Sequence, residues 1–73
     1  MEEKLKMLGR WIEFYEATAE RLKTRGKMDQ MAENFDTSAG NLKIAIANLK
    51  SGKVKFEELP EWISYRAKNE PPS

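Results

Sequence analysis

Apolar side chains recur at spacings of three and four through the first third of the chain, at Leu5, Leu8, Ile12, Tyr15, Ala19 and Leu22. That interval is the period of an α-helix and not of a strand. The segment from Glu2 to about Thr24 is therefore expected to form one long amphipathic helix. Trp11, Phe14 and Met7 widen the stripe until the apolar arc covers roughly half the wheel, where one neighbour needs only about 100°. The excess predicts two neighbours, or one neighbour and a partner chain. Glu2 and Glu3 at the start and Arg21, Lys23 and Arg25 at the end complement the helix dipole, and Gly26 suits the position just past the last turn.

Beyond Gly26 the helical period returns. Met28, Met31, Ala32 and Phe35 share one face, and Leu42, Ala45, Ile46 and Leu49 share another. Between them lies Asp36-Thr37-Ser38-Ala39-Gly40-Asn41, whose first three residues all favour helix starts over helix interiors. Two readings are open. In one, a short helix from Met28 to Phe35 is followed by a break and a second helix from about Ser38 to Lys50. In the other, a single helix runs from Met28 to Lys50 and pairs with the first as a hairpin. Gly40 inside a helix costs about 1 kcal/mol relative to alanine, so the broken form is preferred. Ser51-Gly52 closes the segment. Lys53-Val54-Lys55-Phe56 alternates and suits a very short strand or an extended arm. A last short helix begins around Glu57 to Pro60 and buries Leu59, Trp62 and Ile63. Residues 1–69 then make one helical domain, and 70–73 a disordered tail. The expected fold class is all-α: a long N-terminal amphipathic helix, a helix-turn-helix-like pair and a short C-terminal helix.

Seventy-three residues allow only one core, and cores of this size yield about 3–5 kcal/mol, which favours a partner or a second copy. The chain has no cysteine and no histidine. Disulfides, thiolate chemistry, the usual zinc sets and the commonest general base are thereby excluded. Ser38, Ser51 and Ser64 have no base to activate them. The glycines are single, so no phosphate-cradling loop is present, and no cofactor or metal is expected. Glu57, Glu58 and Glu61 fit a helix start better than a catalytic cluster. The chain is read as no enzyme. The longest apolar run is Ile44 to Ala47, far short of a membrane span. With no apolar leader segment either, the expected location is the cytoplasm.

The net charge of +1 hides a local bias. From Thr37 to Lys55 there are four lysines, Lys43, Lys50, Lys53 and Lys55, and no acid. Such a stretch suits a phosphate backbone. It overlaps a segment of helix-turn-helix size. The run Met31-Ala32-Glu33-Asn34-Phe35-Asp36-Thr37-Ser38-Ala39-Gly40-Asn41-Leu42-Lys43-Ile44-Ala45-Ile46 resembles the helix-turn-helix of phage Cro-type repressors and Fis-type nucleoid proteins. Ala32 stands where the two helices touch, and Phe35 is the buried residue before the turn. Asp36 replaces the usual turn glycine, and Thr37 the aliphatic that follows. The resemblance implies that the second helix enters the major groove of duplex DNA. Ser38, Ala39, Gly40, Lys43, Ile44 and Ala47 would then face DNA, with Asn41 toward one flank and Lys50, Lys53 and Lys55 on phosphates. With no arginine or glutamine on that face, base readout would be weak.

The first expectation is therefore a small DNA-binding regulator of phage or plasmid type, acting as a homodimer with Leu8, Trp11 or Tyr15 near the interface. The alternative is a non-enzymatic adaptor or inhibitor that docks on a host protein through the broad apolar face of the first helix, with Trp11, Phe14 and Tyr15 in contact.

Overall fold

A computed structural model describes residues 2–26 and 29–72. Met28, where the second helix was expected to begin, and Ser73 of the expected tail lie outside the described residues. The chain is all-α, with three helices and a 3-10 turn: α1 (Glu2–Arg25), α2 (Asp29–Ser51), the 3-10 turn Phe56–Glu58 and α3 (Glu61–Lys68). No strand occurs among the described residues, and no helix is long and apolar enough to cross a membrane.

α1 ends as its sequence requires. Gly26 takes a φ of +69°, and its N–H donates to the Lys23 carbonyl at 3.1 Å. A residue with a Cβ is strained in that left-handed geometry. Gly52 ends α2 in the same way at φ +80°. The two long helices form an antiparallel hairpin laced on one edge by two ion pairs, Lys23–Asp36 and Lys43–Glu16, both at 2.6 Å. In the description that follows, the end with the Gly26 turn is the upper end.

The core explains the width of the α1 stripe. α1 packs against both α2 and α3, so its apolar arc is divided between two neighbours of its own chain. Leu8 and Leu42 are wholly buried at the centre, with Trp11, Ile12, Tyr15, Ala39, Ala45, Ile63 and Ala67 around them. α3 is tied across α1 by its C-terminal end, where the Trp11 indole N–H donates to the Asn69 carbonyl at 2.7 Å.

Three expectations are corrected here. First, the break at Asp36–Asn41 is absent, and one helix runs through from Asp29 to Ser51. Ala32, Phe35, Ala39, Leu42, Ile46 and Leu49 keep an uninterrupted three-four spacing along it, so a single register packs the whole helix against α1. The tertiary burial of that stripe outweighs the capping preferences of three polar residues and the cost of Gly40. Asp36 faces outward to Lys23 and does not cap a helix. Second, Lys53 to Phe56 forms neither strand nor arm. Phe56 opens the 3-10 turn and packs partly buried against the core, with the Lys4 Nζ 4.2 Å above its ring. The Lys55 N–H is capped by the Glu58 carboxylate at 2.8 Å. Third, the last helix starts at Glu61, with Pro60 just outside it. On the exposed surface Glu70 meets Arg10 at 3.0 Å.

Candidate docking surface

Without the break, Ser38 and Asn41 lie in the middle of α2 and not at the start of a helix. The helix N-terminus that was expected to meet base edges is therefore not formed at that point. Ser38 is half-buried, whereas Asn41 and Ile44 are exposed. The lysines do not converge on these residues. Lys43 is held by Glu16 on the ion-paired edge. Lys50 shares a shallow groove with Glu2, Lys6 and Gly9 near the start of α1. Lys53 and Lys55 are exposed in the connection that follows α2. Lys50, Lys53 and Lys55 enter no ion pair among the described residues.

The four residues expected at a protein interface divide differently. Leu8, Trp11 and Tyr15 are covered by the chain's own helices, at 0%, 6% and 5% exposure. Phe14 is half-buried and packs against the same core. It stands edge-on to Trp11, with ring centroids 5.7 Å apart and planes at 87°.

Phe14 marks the border of an uncovered surface. α3 has 8 residues, roughly 12 Å of helix, whereas α1 has 24, roughly 36 Å. The furthest point along α1 to which α3 is hydrogen-bonded is Tyr15, whose hydroxyl accepts from the Arg66 Nε at 2.5 Å. Above it the hairpin continues for the ten residues from Glu16 to Arg25, roughly 15 Å at helical rise. The Tyr15 ring also contacts the Phe35 ring, at 5.7 Å between centroids. Helical spacing then carries the same side of the hairpin upward along Tyr15, Thr18 and Leu22 on α1 and along Ser38, Phe35 and Met31 on α2. Leu22 and Phe35 are half-buried, and Met31 is 48% exposed. Among the described residues no third helix covers this upper shelf, where Leu22, Phe35 and Met31 alternate with the hydroxyls of Thr18 and Ser38.

The charges around the shelf are of one sign. Thr18, Arg21, Leu22 and Arg25 line a shallow depression on the α1 side. On the α2 side, helical spacing puts the uncharged Asn34 and Ser38 along the rim, whereas Asn41 lines a separate groove with Ile44, Leu59 and Glu58. At the lower end stands Arg66, stacked over Trp11 at 4.9 Å and beside Trp62 at 5.7 Å. The three ion pairs among the described residues include none of Arg21, Arg25 and Arg66. The carboxylates of Glu16 and Asp36 lie on the opposite, ion-paired edge.

Sequence reasoning gave Arg66 no role. It also treated Leu22, Met31 and Phe35 only as core. The available signal was length: the apolar stripes of the first two helices run two to three times further than the last helix can cover. Comparison with family models, with curated proteins and with solved structures finds no match to the chain.

Proposed function

We propose that this chain is a non-enzymatic protein-interaction module that receives a helix on the upper shelf of its α1–α2 hairpin. One observation carries the proposal: α3 stops at Tyr15 while the apolar face of the hairpin continues beyond it. A two-helix face presents a groove into which a third helix packs, and helix-in-groove binding is a recurrent mode of recognition. The docking side differs from the one expected for an adaptor, because Leu8, Trp11 and Tyr15 are already used in the monomer core.

The test is an NMR titration of the ¹⁵N-labelled full chain with a designed helical peptide that has leucines at helical spacing and glutamines elsewhere. Shifts are expected at Phe14, Leu22, Phe35 and the Trp62 indole. Leu22→Gln together with Met31→Gln should abolish them on a chain with an unchanged helical spectrum. Binding that survives this double substitution, or shifts confined to other surfaces, would overturn the proposal.

Duplex DNA is kept as a second reading, because Lys50, Lys53 and Lys55 are exposed and enter no ion pair among the described residues. It no longer draws on a helix-turn-helix. A gel shift at low and moderate salt tests it: binding should be independent of sequence and steeply salt-dependent. No shift on any duplex at low salt removes it.

A further inference from the structure

We infer that the helix taken up by the shelf is acidic: an amphipathic helix whose apolar stripe is flanked by carboxylates. The inference rests on the docking surface proposed above and adds the chemistry of its occupant. The floor of the shelf, Leu22, Met31 and Phe35, selects for an apolar stripe but not for a particular partner. The rim is what discriminates. Arg21 and Arg25 stand along one wall, and Arg66 closes the lower end. The opposite wall offers Asn34 and Ser38, which hydrogen-bond to either sign of charge. Glu16, Glu20 and Asp36 line the other edge of the hairpin together with Lys23, and the Glu33 charge acts on that same Lys23.

Arginine gives this rim its specificity. A guanidinium presents several donors in a planar fork that matches a carboxylate. Arg66 spends its Nε–H on Tyr15 and one terminal N–H on the Trp62 carbonyl at 3.4 Å, and it lies among aromatic rings with no anionic partner among the described residues. Its remaining donors are held in place by that bond and by stacking, so an incoming carboxylate meets a side chain already ordered. A basic helix would bring like charge against three arginines, and such juxtaposition opposes binding.

The test uses three designed helical peptides with the same leucine stripe, flanked by glutamate, glutamine or lysine, titrated into the full-length chain at moderate salt. The glutamate peptide should bind about tenfold more tightly than the glutamine peptide, as expected for two or three rim ion pairs, and the lysine peptide more weakly still. Arg21→Glu with Arg25→Glu should reverse that order without changing the helical spectrum. Equal binding of all three peptides overturns the acidic occupant while leaving the docking surface intact. No binding by any of them overturns both. If sedimentation instead shows a dimer that Leu22→Gln with Met31→Gln dissociates, the occupant is a second copy and the acidic helix is rejected.

Discussion

Arg66 donates from Nε to the hydroxyl of Tyr15 at 2.5 Å, and the same guanidinium lies 4.9 Å above the Trp11 ring. One side chain of α3 thus engages two core aromatics of α1 and fixes how far α3 reaches along the hairpin. Tyr15→Phe removes the hydroxyl and keeps the ring contacts with Trp11, Phe14 and Phe35. The expected loss is about 1 kcal/mol, the usual net worth of one such hydrogen bond. It should be read as a lower denaturant midpoint at unchanged slope. A changed slope would mean that α3 has come away from α1.

Leu8 and Leu42 face each other's helix with no exposed surface. Leu42→Ala should cost about 2–5 kcal/mol through lost burial and the cavity left behind. A core of this size yields about 3–5 kcal/mol in total. The variant should therefore be largely unfolded at room temperature, and circular dichroism at 222 nm checks this. A fully helical Leu42→Ala chain would show that the core is not centred on this residue.

The fold was legible wherever one periodicity governed a segment. α1 follows from its stripe and its terminal charges, and Gly26 and Gly52 stand at positive φ where the helices were expected to end. The break in the second helix was the misreading, and its cause is specific. Asp36, Thr37 and Ser38 carry local preferences of tenths of a kcal/mol each, whereas the stripe from Ala32 to Leu49 carries several buried side chains. The continuous helix was legible as the alternative reading, but the cost of Gly40 and of three capping residues was set above the burial along that stripe. The docking surface was less legible. That Arg21, Arg25 and Arg66 flank one shelf depends on how α3 crosses the hairpin, and no local pattern encodes that crossing.

The Lys23–Asp36 pair lies on the edge away from the shelf. The hydrogen bond to Asp36, aided by the charge of that carboxylate, holds the Lys23 ammonium above its ordinary pKa. A cation stabilised by folding contributes fully below its unfolded pKa and is lost as pH rises through the raised value. Asp36→Asn should therefore leave stability nearly unchanged near neutrality, since both partners are exposed and solvent screens the pair. Any difference from the parent should disappear in strongly alkaline solution. A large loss at pH 7 would mean that Asp36 does more than pair with Lys23.

Gly40 sits in the middle of α2, and a Cβ built there meets nothing within 4 Å. Gly40→Ala should therefore stabilise the chain by about 0.5–1 kcal/mol, and the melting temperature should rise by several degrees. Thr37 gives the complementary measurement, because the two possible structures of this segment predict opposite signs. In a continuous helix Thr37 is an exposed interior residue, and alanine, the better helix former, should stabilise by about half a kcal/mol. If Thr37 capped a second helix, the same change would remove an accepted backbone hydrogen bond and cost about 1 kcal/mol. Thermal melts of Thr37→Ala, Gly40→Ala and the double variant decide between them. Both single changes should raise the melting temperature. The double variant should melt above either single variant, with any departure from their sum reporting the coupling of two i,i+3 neighbours. A lower melting temperature for Thr37→Ala would place a helix start inside α2 and restore the helix-turn-helix geometry on which major-groove binding depends.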